Sequence, residues 1–362
     1  MTSKPVHIIH VIPEERGGGA ELLVGELQRH LTATGVSCER VHFCGARLET
    51  DSVTCFGSSH NSISNIPRLR ALLRQRLSGR KTIILHTHLT HAFYAGLVAS
   101  LGLPLIRVHT EHSTTMRLRE IRWMRPIEKR LYERCNKVIA ISEGVHTALK
   151  QDLKLDDSLI ETIQNGSRIY PLVLRAPVYN NTLNLVSVGS LTHRKGFDVA
   201  IIALARARIG NWIYRIVGEG PELATLKQIA HETGVSDRVI FSGWSDDPAP
   251  FLNEAHLQLI PSRWEGFGLV AVEGMSTGLC QILSDVSGLR DVVVQDSSTC
   301  FLVKNNEKPN AWVEPLERFS HALRLAETPT SNLANIQAQK FGIDKMVSSH
   351  MRLYEKLSSQ AI

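Results

Sequence analysis

The chain alternates short apolar runs with longer stretches in which apolar residues recur every three or four positions. Val6–Ile12 reads as a strand, and Leu22, Leu23, Leu27 and Leu31 then mark one face of a helix. Strand-like runs return at Val36–Phe43, Thr82–Leu85, Leu105–Val108 and Lys137–Ile141, with helical stretches such as Ile66–Leu77 and His91–Leu101 between them. Such alternation predicts a parallel sheet covered by helices on both faces, with ligands bound beyond the carboxyl ends of the strands. The pattern breaks around Asn165-Gly166-Ser167, and Arg168–Thr182, with Pro171, Pro177 and Asn180-Asn181, reads as a connector. A second alternating unit follows, with strands at Leu183–Val188, Tyr214–Val217, Val239–Phe241, Leu257–Ile260 and Gln281–Leu283. Two domains are therefore predicted, 1–168 and 169–342. A terminal amphipathic helix over 343–360, carrying Met346, Val347, Met351, Leu353, Tyr354 and Leu357, is predicted to pack back on the first.

The totals agree with that organisation. A chain of 362 residues suits two cores, and 43% hydrophobic with 21% charged residues is a globular composition. No apolar run approaches the roughly 20 residues that span a bilayer. Met1–Pro13 lacks the layout of a secretory signal, and the six cysteines show no paired metal or redox spacing. A reduced, cytoplasmic location is expected. The net charge of +6 is uneven: between His60 and Lys150, Lys and Arg outnumber Asp and Glu by 16 to 5. One group is Arg68, Arg70, Arg74, Arg76, Arg80 and Lys81. Another runs from Arg117 to Arg134 and interleaves with Ile121, Trp123, Met124, Ile127 and Leu131. Either group is a solvated helix face or a surface for anionic phospholipid or an anionic acceptor, the former placing the protein peripherally at the inner membrane. No nucleic-acid motif accompanies the charge, so nucleic acid is not expected as a partner.

The candidate chemistry lies at the strand–helix junctions. In Pro261–Gly274 an apolar run ends at a polar turn, and then come Glu265, Gly266-Phe267-Gly268 and a helix opening at Leu269 with Glu273 inside it. A helix start aims backbone N–H groups at an anion, and two carboxylates accept hydrogen bonds from hydroxyls. A nucleotide-sugar has both features. Arg194 and Lys195, after Gly189-Ser190, are placed to neutralise a diphosphate. Gly17-Gly18-Gly19 brings a backbone close to a ligand, yet is not the Gly-x-Gly-x-x-Gly of a nicotinamide site. His86 and His88 follow one strand, and His109, Glu111 and His112 another. A zinc site there lacks a dedicated third ligand. His109 is the histidine best placed to meet a sugar or phosphate, while His86, His88, His91 and His112 read as structural hydrogen-bonding residues.

Taken together, these junctions resemble the retaining GT-B glycosyltransferases of glycosyltransferase family 4. The matches are Gly17-Gly18-Gly19-Ala20-Glu21, the His86–His88 strand end, His109, Val138–Glu143, Asn165-Gly166, Lys195-Gly196, Gly218-Glu219-Gly220-Pro221 and the pair Glu265/Glu273. They stand in the family's order from about Val6 to Asp291. The resemblance implies a GT-B fold, two facing Rossmann-like domains with an interdomain cleft, and a donor held mainly by the second. It implies Lys195 and Arg194 on the diphosphate, and Glu265 on the transferred sugar with backbone N–H groups of Gly266, Phe267, Gly268 and Leu269. It also implies Glu273 on the ribose, His109 near the reacting sugar, and Gly18 and Gly19 near the diphosphate or acceptor. Glu219, Gly243 and Trp244 complete the implied donor site. Many relatives carry Arg where Ser190 stands, so Arg194 is expected to supply that charge.

The implied reaction is transfer of a hexose or N-acetylhexosamine from a nucleotide-sugar, a UDP-sugar by expectation, to a lipid-linked or lipopolysaccharide glycan acceptor. No Asp-x-Asp pair occurs in the sequence, so neither a metal nor a cofactor is expected at the diphosphate. Another GT-B activity, a nucleotide-sugar epimerase or a phosphorylase, is the alternative enzyme. An inactive nucleotide-sugar-binding subunit is the alternative outside catalysis.

Overall fold

The computed structural model describes residues 6–15, 18–79, 81–114, 121–174, 182–293, 299–324 and 332–360. Gly17, Arg80, Arg117, Arg119, Pro177, Asn180 and Asn181 lie outside the described residues. The chain divides into two compact units, one of Met1–Gly166 with Ile343–Ile362 and one of Ser167–Gly342.

The first unit is built on an eight-stranded sheet. Its strands are β1 (Val6–Ile12), β2 (Ser37–His42), β3 (Leu48–Glu49), β4 (Val53–Cys55), β5 (Thr82–His88), β6 (Ile106–Glu111), β7 (Lys137–Ala140) and β8 (Ile160–Thr162). They lie in the order β3-β4-β2-β1-β5-β6-β7-β8, parallel throughout except for β3 on β4. Alternate residues of β1 face opposite layers, as the strand pleat requires. Ile8 joins Leu23, Leu27 and Leu31 of the helix Gly19–Ala33 and Met346, Leu353 and Tyr354 of the helix Ile343–Gln360. Ile9 and Val11 join Leu69 and Leu73 of the helix Asn65–Leu77 and Ala92 and Ala99 of the helix Thr90–Ala99. The terminal helix is thus core material of the first unit, although the whole second unit precedes it in sequence.

The second unit repeats the plan with six strands: β9 (Thr182–Val188), β10 (Asn211–Val217), β11 (Val239–Phe241), β12 (Leu257–Ile260), β13 (Cys280–Ser284) and β14 (Cys300–Val303). The order is β11-β10-β9-β12-β13-β14 and every pairing is parallel. Helix Asn310–Arg324 inserts Trp312, Leu316 and Phe319 into a core shared with Phe197, Ile201, Tyr214 and Leu259. β12 and β13 are buried along their full length, which is why they read as unbroken apolar runs. Their two polar residues are bonded inside: Gln281 Nε2 donates to Gln258 Oε1 at 2.7 Å and to the Ala271 carbonyl at 2.8 Å, and Gln258 Nε2 donates to the Val270 carbonyl at 3.0 Å. Those bonds fix the helix Leu269–Ser276 to the sheet. In each unit the strand made first lies inside the sheet, so the chain winds outward from it in both directions. The seams between β1 and β5 and between β9 and β12 are topological switch points, where α/β sheets open a crevice.

Candidate active site

At the β9–β12 seam the single-turn helix His193–Lys195 meets the loop after β12. Lys195 is buried, and its ammonium donates to Glu265 Oε1. Ser262 Oγ donates to the same oxygen at 2.9 Å, while Arg194 lies 3.8 Å from Oε2 and is itself half-exposed. Burial alone would raise the Glu265 carboxyl, but the Lys195 and Arg194 charges outweigh it and hold the group below the usual carboxylate range. A buried anion is therefore kept ionised by two cations, one of which reaches solvent.

The turn is clamped in place from both sides. Arg263 makes a bidentate pair with Asp198 at 2.9 and 2.6 Å and donates to the His193 carbonyl at 2.6 Å. The Arg263 N–H donates to the Arg194 carbonyl at 2.8 Å. Gly196 closes the turn at φ +64°, where a Cβ would overlap the Pro261 carbonyl. Gly288 likewise lets the chain run against the Glu265–Phe267 backbone, since a Cβ would stand 2.6 Å from the Glu265 carbonyl oxygen. Ser262, Arg263, Asp198 and Gly288 carry no role in the sequence reading, because their importance rests on contacts between segments far apart in the chain.

Beyond Glu265, Phe267 turns its ring into the core against Phe341 at 5.6 Å, leaving Gly266, Phe267, Gly268 and Leu269 to offer backbone groups only. Gly268 precedes the first turn of the helix Leu269–Ser276, whose leading N–H groups have no intrahelical acceptor. Glu273 lies on that helix and is half-buried; desolvation raises its carboxyl to about 7, against the opposing pull of Arg168. Arg168 stands just past the boundary between the units, in the segment that reads from sequence as a connector. Glu219 Oε1 accepts from the Trp244 N–H at 3.3 Å, and Gly218 donates to the Gly243 carbonyl at 2.8 Å. Glu219, Gly243 and Trp244 are thereby drawn together beside β10 and β11, with the Trp244 indole partly exposed.

The first-unit residues fall into two sets. Gly18 caps the helix Gly19–Ala33 in an extended conformation open to any residue, and Gly19 is exposed. His109 departs from expectation. Its ring is buried in β6, 4.2 Å from Phe93 and 5.6 Å from Tyr132, with Nδ1 hydrogen-bonded to Thr87. A ring so enclosed packs the sheet and is not presented to a ligand. His112 lies past the strand end, half-buried beside Asn165, Met346 and His350 around a small cavity. It joins a stack of neutral imidazoles. His10 Nδ1 is 2.9 Å from His88 Nε2, His88 Nδ1 is 3.3 Å from His112 Nε2, and His86 bonds Thr110 at 2.7 Å and Tyr354 at 2.6 Å. Burial pushes His10 down to about 3 and His112 to about 4. His10 supplies a third imidazole near His86 and His88, but five of the six ring nitrogens of that trio already have hydrogen-bond partners.

Two doubly wound parallel sheets, with a lysine–glutamate pair and a helix start at the second switch point, define a GT-B glycosyltransferase. Two family descriptions match in tandem, Glycosyltransferase Family 4 over residues 17–167 and Glycosyl transferases group 1 over residues 176–332, and the chain belongs to this group of enzymes. It is similar to an uncharacterized 41.2 kDa protein in the cps region of Klebsiella pneumoniae, 24% identical over 97% of this chain and 99% of that protein. It is also 24% identical, over 81% of each chain, to the UDP-Gal:alpha-D-GlcNAc-diphosphoundecaprenol alpha-1,3-galactosyltransferase of Escherichia coli. Among solved structures it resembles Anabaena Alr3699/HepE in complex with UDP and glucose, with a TM-score of 0.81 at 20% identity, over 99% of this chain and all of that one. That likeness establishes the fold. Among the described residues no helix is long and apolar enough to cross a membrane.

Proposed function

We propose that the chain is a retaining glycosyltransferase that moves a hexose or N-acetylhexosamine from a UDP-sugar to a lipid-linked or lipopolysaccharide glycan. The observation that carries this reading is the Lys195–Glu265 pair beside the start of the helix Leu269–Ser276. A leaving nucleoside diphosphate gains negative charge as the glycosidic bond breaks. Lys195 and Arg194 meet that charge, and the helix N-terminus adds to their effect. Without donor, Glu265 neutralises Lys195. With donor, the ammonium turns to the diphosphate and the carboxylate accepts from the sugar hydroxyls. Attack on the same face as the leaving group preserves configuration, with a leaving phosphate oxygen taking the acceptor proton. Glu273 accepts from the ribose hydroxyls, and the similar enzyme whose name specifies UDP-Gal and a diphosphoundecaprenol acceptor supports both substrate classes.

A thermal-shift screen of nucleotides and nucleotide-sugars tests the donor site. One UDP-sugar at 100 times its dissociation constant should stabilise the protein by about 2.7 kcal/mol, with or without chelator. No shift with any nucleotide in a folded sample would remove the donor reading. The same titration carries a pH signature. Glu273 titrates near 7 and ribose needs its ionised form, so donor affinity should fall as pH drops from about 8 to about 6. Glu273→Gln should flatten that slope, and a slope unchanged by the substitution would take Glu273 off the ribose.

The basic groups differ in their surroundings. Arg76 is paired bidentately with buried Glu39, Arg68 donates to the Phe56 carbonyl, and Arg70 to the Ala99 and Leu101 carbonyls. These residues hold the first unit together. By contrast, around the helix Arg125–Tyr132 the apolar Trp123 is 72% exposed and Ile127 49%, among Arg125, Lys129 and Arg130. That face is the membrane-docking surface in this reading. Flotation with anionic vesicles should weaken several-fold in Trp123→Ala and with added salt. Binding indifferent to both would remove the membrane from the proposal.

A further inference from the structure

Loops at the carboxyl ends of β1, β2 and β4 bring Glu14, Cys44 and His60 together, and one donor atom from each lies within 4.8 Å of the other two. Glu14 Oε1 is 3.3 Å from His60 Nδ1, and Cys44 Sγ is 4.0 Å from the same nitrogen. His91, opening the helix Thr90–Ala99, sets its ring 4.5 Å from that of His60. The three clustered residues are half-buried and His91 is exposed, so the group is open to solvent.

The backbone beneath them is fixed. The N–H groups of Phe43 and Cys44 donate to the Pro13 carbonyl at 3.1 and 2.9 Å, tying the residue before Glu14 to Cys44 itself. Ser58 N–H donates to the Phe43 carbonyl at 2.8 Å. Buried Asn65 holds the 58–60 loop, donating from Nδ2 to the Ser59 carbonyl at 2.9 Å and accepting from the Ser58 hydroxyl. Three loops from three strands are thus set before any ligand arrives.

We propose that Glu14, Cys44 and His60 form a zinc site, with His91 placed to complete it. A thiolate, a carboxylate and one or two neutral imidazoles make a borderline-soft set that cancels the charge of a divalent ion. Zinc holds such ligands at about 2.0–2.3 Å, which spaces them about 3.3–3.7 Å apart around a tetrahedron. The 3.3 and 4.0 Å separations ask only small side-chain movements. Zinc binds cysteine as the thiolate, so the Cys44 proton leaves to solvent as the metal binds. The site's residues all belong to the first unit, whereas Lys195 and Arg194 belong to the second. Through Glu14 it would anchor the chain that enters the glycine run at Gly18-Gly19.

Chelator-treated full-length protein, titrated with zinc by equilibrium dialysis and with cobalt by absorbance, tests this. The expected result is one zinc per chain, and a cobalt spectrum with a thiolate charge-transfer band and the d–d bands of a four-coordinate ion. Cys44→Ser should abolish the charge-transfer band, and both Cys44→Ser and His60→Ala should weaken zinc at least about 100-fold. Unchanged circular dichroism will show that each variant is folded. No zinc taken up at micromolar free metal overturns the site. So does cobalt bound without a thiolate band, or zinc retained by the two variants, which would move the metal to the His10–His86–His88 stack.

Discussion

Lys195→Ala should lower turnover at least about 100-fold at saturating donor, a loss of about 2.7 kcal/mol of transition-state stabilisation. The lysine is the buried cation of the proposed donor site, and Arg194, half-exposed at 3.8 Å from Glu265, cannot take over its geometry. The substitution also strands a buried carboxylate, which costs about 3–5 kcal/mol of stability when one partner of a buried pair is removed. Folding and chemistry therefore have to be separated. Lys195→Ala with Glu265→Gln removes the stranded charge and should recover much of the stability, yet stay as inactive as either single change. Steady-state kinetics on the folded fraction, beside chemical denaturation, reads both. Near-normal turnover in Lys195→Ala or in Glu265→Ala would end the assignment of these residues to the donor.

Gly196→Ala should destabilise the second unit by about 3 kcal/mol, combining the cost of a left-handed conformation with displacement of the turn from Pro261. Because Lys195 precedes it, the same shift should move the ammonium and raise the dissociation constant for donor. Urea denaturation and donor titration would show this together. A stable variant with unchanged donor affinity would mean that the turn position does not control Lys195. Gly210→Ala serves as a control, for its φ of +70° is strained alike and it lies away from the site.

Periodicity revealed the two sheets because β1, β5, β9, β12 and β13 are buried parallel strands whose apolar runs stand out. The strands it passed over had too little signal: β3 has two residues, and β4 and β8 have three each. β14 and the Trp312 helix lie beyond the last motif, where no loop chemistry drew notice. Within the site, Lys195, Glu265 and Glu273 were legible because each sits at a glycine-marked strand–helix junction. The direct Lys195–Glu265 contact was not, since it joins residues 70 positions apart. His109 and His112 read alike in the sequence as histidines near one strand end, and what separates them is their place in the fold: His109 lies inside β6 and His112 beyond it. The Cys44 cluster left no spacing pattern, because its members come from separate strand ends.

The helix Ile343–Gln360 has a consequence for synthesis. The second unit is one uninterrupted segment, so it can fold as soon as it has left the ribosome. The first is translated earlier but lacks Met346, Val347, Leu353, Tyr354 and Leu357 from its core until residues 346–357 emerge. Its apolar surface stays open throughout that interval, and the part of the enzyme made first is the part finished last.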